Sequence, residues 1–168
     1  MKNIKIEIQQ TVNLYKSQKF SEAEQLSKKL IETNPKVAFL YNLLGLILAG
    51  QGKNEEAIMY YKKGIIIKPD YAMIYNNLGT VYKSKRNYSD AENYYKKSIQ
   101  LDNKITESQN NLGNLYIDLN KHEEALICFK SIGVSNGKWL NDQIFYFKFS
   151  QYINIVIIWL ITNNVARV

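Results

Sequence analysis

The 168 residues include 22 Lys and Arg against 15 Asp and Glu, a formal charge of +7, and 46% of them are hydrophobic. That is one domain's worth of chain with ample apolar material for a core, and its two prolines and eight glycines exclude a linker-rich sequence. A single cysteine, Cys128, excludes an internal disulfide and any cysteine-based metal framework, which fits a reducing compartment. Residues 1–10 are interrupted by charges and glutamines too soon to be the apolar core of a signal peptide, so the expected location is cytoplasmic.

Residues 4–37 read as a degenerate pair of helices. The first carries Ile4, Ile8, Val12 and Leu14–Tyr15 on helical spacing. The second has Ser21 as its expected N-cap, Glu22 and Glu24 in the first turn, and Leu26, Leu30 and Ile31 inward, before Pro35 stops it. Residues 38–71 form the first regular unit. Tyr41, Leu44, Gly45 and Leu48 fall at i, i+3, i+4 and i+7, one face of a helix. A glycine inside a helix costs about 1 kcal/mol relative to alanine, so something at Gly45 must require a small residue. Gly50 and Gly52 mark a turn, Ala57 opens the second apolar face, and Ile65–Ile67 are expected to pack towards the next unit ahead of Pro69.

Residues 72–105 repeat the scheme with Tyr75, Leu78, Gly79 and Tyr82, then Ala91, Tyr95, Ile99 and Leu101. An incomplete unit over 106–134 begins with Leu112, Gly113, Tyr116, Ala125 and Phe129. Its second helix is expected to end near Ile132, because Gly133, Ser135, Asn136 and Gly137 follow. Residues 135–168 belong to no unit and form an aromatic and apolar tail. Within it, 144–161 could seat the chain on a membrane or in a homodimer interface. Lys148, Ser150, Gln151 and Asn154 interrupt that stretch, which disfavours a spanning helix of roughly 20 apolar residues.

A shift of 34 residues superimposes Asn42-Leu43-Leu44-Gly45, Asn76-Asn77-Leu78-Gly79 and Asn110-Asn111-Leu112-Gly113. It also aligns Ala23, Ala57, Ala91 and Ala125, and brings Tyr61 onto Tyr95 and Phe129. This period and pattern resemble the tetratricopeptide repeat family. The resemblance implies an all-α, right-handed solenoid of stacked helix-turn-helix units. It further implies that Gly45 admits Tyr61 from the partner helix, that residues 4–37 act as an atypical terminal cap, and that the first helices line a concave groove.

On that reading the groove candidates are Asn42, Asn76, Asn77, Thr80, Lys83, Asn110, Asn111 and Asn114, interleaved with Phe39, Leu43, Leu46, Ala49, Met73, Glu107 and Ile117. Asparagine offers two donors and an acceptor on a short arm, so it can bind an extended peptide backbone whatever that peptide's sequence. The equivalent Asn77 and Asn111 are similar to the asparagine ladder in the repeat domains of O-linked N-acetylglucosamine transferases, although Leu43 breaks the ladder in the preceding unit. Replacing both by alanine is expected to weaken partner binding with little loss of thermal stability. The two-carboxylate clamp that some members use for chaperone C-termini needs lysines that the third groove helix, with Glu107, Asn111 and Asn114, does not present.

Charge follows the helices. Second helices open acidic and close basic, as with Glu55–Glu56 to Lys62–Lys63 and Asp90 and Glu92 to Lys96–Lys97, an arrangement that suits the helix dipole. The recurring lysine pairs form an outer stripe with built-in compensating acids. Arginine is confined to Arg86 and Arg167, so nucleic acid is not an expected partner. No phosphate-binding glycine loop or nucleophile elbow occurs, and the lone His122 offers no paired ligand for a metal. The expected function is therefore a non-enzymatic, cofactor-free scaffold holding a protein or peptide, an extended peptide or a partner helix, in its groove. Two alternatives accompany it. One is the substrate-recognition part of a larger glycosyltransferase or sulfotransferase, a break in frame near Gly133 accounting for the tail; the other is a membrane- or dimer-associated adaptor using the tail.

Overall fold

The computed structural model describes residues 4–132, whose regular structure is entirely helical. Eight helices run as four antiparallel hairpins: α1 (Ile4–Lys16) with α2 (Phe20–Thr33), α3 (Ala38–Gly50) with α4 (Asn54–Ile67), α5 (Ala72–Ser84) with α6 (Tyr88–Leu101), and α7 (Thr106–Asp118) with α8 (His122–Ser131). Each hairpin packs on the next, with α2 against α3, α4 against α5 and α6 against α7, which makes a right-handed α-solenoid. Helix α8 ends at Ser131, with Ile132 at its C-cap. The tail over 135–168, including the 144–161 stretch, lies outside the described residues. Among the described residues no helix is long and apolar enough to cross a membrane.

One turn geometry recurs in all four hairpins. Gln18, Gly52, Arg86 and Asn120, spaced by 34, have φ of 58°, 76°, 59° and 58°. In each, the left-handed residue donates its N–H back three residues, as from Gln18 to the Tyr15 carbonyl at 3.0 Å. The residue after it donates back five, as from Lys19 to the Leu14 carbonyl at 2.9 Å. This is the Schellman arrangement, which satisfies carbonyls at the end of the first helix and aims the chain into the second. It also corrects the expected cap of α2. The helix already begins at Phe20, with Lys19 at the cap, so Ser21 lies inside the first turn. Of the equivalent caps, Asn87 uses its side chain, Oδ1 accepting from the Asp90 N–H at 3.3 Å.

The glycine requirement has a direct cause. A Cβ placed on Gly45 would lie 2.4 Å from Cε1 of Tyr61, one on Gly79 2.6 Å from Cδ1 of Tyr95, and one on Gly113 2.7 Å from Cζ of Phe129. Each aromatic ring of a second helix therefore occupies the space a side chain would take on the first. The terminal hairpin differs at this crossing. At the equivalent positions it has Thr11 and Ser27, both small and fully buried, so neither helix carries an aromatic ring there. Thr11 turns its hydroxyl back to the Glu7 carbonyl at 2.8 Å.

Successive hairpins are tied by recurring polar contacts. Tyr41 Oη donates to the Pro35 carbonyl at 3.0 Å, Tyr75 Oη to Pro69 at 2.9 Å, and Gln109 Nε2 to Asn103 at 3.2 Å. Glu24 accepts from Lys28 at 2.5 Å and from Lys53 of the next hairpin at 2.9 Å, and Lys85 pairs with Glu55. The outer lysine stripe is thus compensated at Lys28 and also at Lys96, which meets Glu92 at 2.6 Å. Ile65 and Ile67 are half-buried, but Ile66 is 80% exposed, which corrects the expectation that all three face the next unit. Helical geometry points it away from its neighbours' face.

Candidate functional site

Helix α3 touches α5 and α5 touches α7, so the first helices line the inner side of the solenoid. The structure divides the eight candidate groove residues into two groups. Thr80, Asn110 and Asn114 are exposed and Lys83 and Asn111 half-buried along this surface. Asn42, Asn76 and Asn77 are buried, at 3%, 0% and 6% exposure, where adjacent first helices meet.

The buried group forms rungs between hairpins. Asn77 Nδ2 donates to Asn42 Oδ1 at 2.8 Å, and Asn111 Nδ2 donates to Asn76 Oδ1 at 3.0 Å. Amide orientation is set by Glu107: its carboxylate can only accept, so Asn76 turns Nδ2 to it at 3.3 Å and leaves Oδ1 for Asn111. At Asn42, Met73 stands in place of Glu107, and Oδ1 is the atom that accepts from Asn77. Sequence reasoning placed Asn77 and Asn111 in line with each other. It missed that each pairs with the asparagine 35 positions earlier, a signal present in the Asn-Asn doublets themselves. One of their two amide donors is therefore committed within the fold.

On the exposed side, Lys83 reaches Asp118 on the next first helix at 2.9 Å, which neutralises the cation. Thr80 is the centre of a small network. Its hydroxyl donates to the Asn76 carbonyl at 3.2 Å and accepts from Tyr95 Oη at 3.3 Å. Burial raises the Tyr95 pKa, and the bond to Thr80 opposes that shift. The equivalent tyrosine one hairpin earlier has no such partner. Tyr61 is 0% exposed, its counterpart of Thr80 is Leu46, and its hydroxyl has no hydrogen-bond partner among the described residues. Burial, with nearby Tyr15 adding to it, pushes its pKa well above the ordinary range. A cavity of ≈ 230 Å³ opens here, lined by Tyr15, Leu46, Ala49, Gly50, Tyr61, Asn77, Thr80 and Val81.

Cys128 is half-buried, and burial raises its thiol pKa, so it is not a poised thiolate. His122 starts α8. Among the described residues no group of three His, Cys, Asp or Glu side chains converges on a point that would hold a metal.

Tetratricopeptide repeat sequences match residues 45–85, 72–104 and 106–131, together just over half of the 168 residues. No curated protein matches the chain. Among solved structures, a thermophilic TPR protein of Thermus thermophilus is similar with a TM-score of 0.73 and 20% identity over 88% of this chain and 81% of that one. MamA is similar with a TM-score of 0.68 and 22% identity over 83% of this chain and 81% of its own. The structure of Naa15/Naa10 bound to HypK-THB gives a TM-score of 0.67 and 20% identity over 77% of this chain, which spans only 19% of that one. At these identities the solved structures speak for the fold, and the matched repeats speak for the family. The chain belongs to the tetratricopeptide repeat family.

Proposed function

We propose that this chain is a non-enzymatic scaffold whose inner face holds an extended peptide or a partner's helix. The observation that carries the reading is the composition of that face. Exposed carboxamides and a hydroxyl, at Asn110, Asn114 and Thr80, alternate with the partly open apolar side chains of Leu46, Ala49, Met73 and Ile117. Such a surface can pair with backbone amides while covering apolar side chains, the two demands of peptide recognition. Family membership favours the same role, since tetratricopeptide arrays serve widely as protein-binding surfaces. The buried asparagines contribute indirectly, by fixing the spacing of the helices that carry the exposed ones.

Selection from a displayed peptide library, followed by titration of the enriched peptides, tests this. Replacing Asn110 and Asn114 together by alanine removes exposed groups and should leave the melting temperature unchanged. It should weaken the peptides about threefold to tenfold, the worth of one or two hydrogen bonds. Peptides that bind the double variant at full strength, with protection from exchange on α4 and α6 rather than α3, α5 and α7, would overturn the assignment.

A further inference from the structure

The inner face changes character along the array. Phe39, Met73 and Glu107 are spaced by 34 and stand in the first turns of α3, α5 and α7. Phe39 is 38% exposed, Met73 half-buried and Glu107 exposed. The first two leave hydrocarbon open to water, and the third puts a carboxylate where its equivalents are apolar. An acid in the first turn suits the helix dipole of α7 on its own account. The contact with Asn76 goes beyond that. Asn76 on α5 is fully buried, and its Nδ2 donates to Glu107 Oε1 at 3.3 Å while its Oδ1 is held by Asn111. An exposed glutamate is thereby anchored by an interior side chain, with Oε2 left over to accept.

No cation of the described residues answers that charge. Lys83 on the neighbouring first helix is engaged with Asp118 at 2.9 Å. Among the described residues neither Lys83 nor Lys104, in the loop ahead of α7, pairs with Glu107, which takes part in no ion pair. Three and seven residues further on, along the same stripe of α7, Asn110 and Asn114 present exposed carboxamides. A guanidinium has five N–H donors and no acceptor, so a carboxylate flanked by amide oxygens suits arginine better than lysine. Packed helices lie about 8–10 Å apart, so Phe39 and Glu107, two helices apart, are separated by roughly 16–20 Å along the groove. An extended chain covers about 3.3 Å per residue, which puts the two contacts about five or six residues apart on a ligand.

We infer that the groove selects an extended peptide with a basic side chain, arginine best, for Glu107 and a bulky apolar side chain about five residues away for Phe39 and Met73. The inference rests on the groove reading above and adds the partner's chemistry to it. The chain's own charge of +7 works against a cationic ligand, so such a preference has to come from the site.

The test uses the full chain and capped hexapeptides titrated by NMR. The lead is Ac-Phe-Ser-Gly-Ser-Gly-Arg-NH₂, accompanied by the same residues in reverse order. Controls replace the arginine by citrulline, its neutral isostere, or by glutamate. In one of the two orders the arginine peptide should shift the resonances of Phe39, Met73, Asn110 and Asn114, and bind at least about fivefold more tightly than either control. Glu107→Gln keeps an acceptor for Asn76 and removes the charge. It should abolish the preference for arginine over citrulline while leaving the citrulline peptide's own affinity unchanged, which shows the groove intact. Phe39→Ala should weaken the arginine and citrulline peptides alike. Equal binding of those two peptides, an arginine preference that survives Glu107→Gln, indifference to Phe39→Ala, or tightest binding of the glutamate peptide would each overturn the inference. If Thr80, Asn110 and Asn114 still respond in such a case, the groove stands without this selectivity. If no first-helix resonance moves with any peptide, both readings fall.

Discussion

Substituting Gly79 by alanine sets two opposing effects of known size against each other. Alanine in place of an interior helical glycine stabilises by about 1 kcal/mol through backbone entropy. Against this, the new Cβ would sit 2.6 Å from both Cδ1 and Cε1 of Tyr95 and 3.0 Å from its Cγ. Carbon atoms settle at about 3.5–4.0 Å, so the ring must retreat by roughly 1 Å. Tyr95 is 1% exposed and tethered to Thr80, leaving little room to do so. Overpacking of this kind costs about 1–3 kcal/mol, and the confinement argues for the upper half, giving a net loss of about 1–2 kcal/mol. Urea unfolding followed by far-UV circular dichroism measures it, with hydrogen exchange of α5 and α6 confirming where the loss falls. In a Tyr95→Leu background the obstruction is gone, and the same alanine should instead gain about 1 kcal/mol, a coupling of about 2–3 kcal/mol between the sites. A Gly79→Ala variant that is neutral or stabilised with Tyr95 present would refute the packing argument.

Other perturbations follow from the same contacts. Asn77→Ala removes a buried donor and strands Asn42 Oδ1, so it should destabilise by about 1–2 kcal/mol in chemical denaturation. Asn111→Ala, half-buried, should cost about half of that; the expectation from sequence that both changes spare stability is thereby reversed. Glu24 is held down to about 2 from an ordinary 4.5 by hydrogen bonds from Lys28 and then Lys53. Its folded pKa lies below its unfolded one, so the stabilisation is complete above pH 4.5 and lost as pH falls towards 2. With both lysines more than a third exposed, Glu24→Gln should cost only about 1 kcal/mol at pH 7, and the two proteins should converge by pH 2 in an acid titration. At the turns, Gly52 has φ of 76° and open space around it, so Gly52→Ala should lower stability by about 1 kcal/mol through backbone strain alone. Arg86→Gly, which relieves a left-handed arginine, should have the opposite sign in the same thermal melts.

The hairpins were legible in the sequence because repetition supplies its own alignment: Gly45, Gly79 and Gly113 mark one crossing three times over. The bulky partner at each was legible for the same reason. Two things were not. The start of α2 was misplaced at Ser21 because a serine before acidic residues is a generic cap signal. The recurring left-handed turn that sets the start has no residue preference in common, being Gln18, Gly52, Arg86 and Asn120. The candidate site was legible only as a helix face. Counting along α3, α5 and α7 correctly gathers the first-helix asparagines, but curvature decides which of them face solvent. Where first helices close on each other, Asn42, Asn76 and Asn77 become interior. Tyr61 escaped notice as a polar group because its role beside Gly45 accounts for the ring and says nothing of the hydroxyl.

The asparagine rungs also set where the array is stiff. They join the second hairpin to the third and the third to the fourth. Between the first and second hairpins the equivalent residues are Ile8 and Leu43, which cannot make one. That junction is held by apolar packing of Ala23, Val12, Leu14, Tyr15 and Phe20 with Leu43 and Ile47, and at the solvent boundary by Glu24 with Lys53 and Gln51. Under tension applied along the superhelix, sliding at the first junction breaks no amide pair, whereas sliding at either junction behind it must break one.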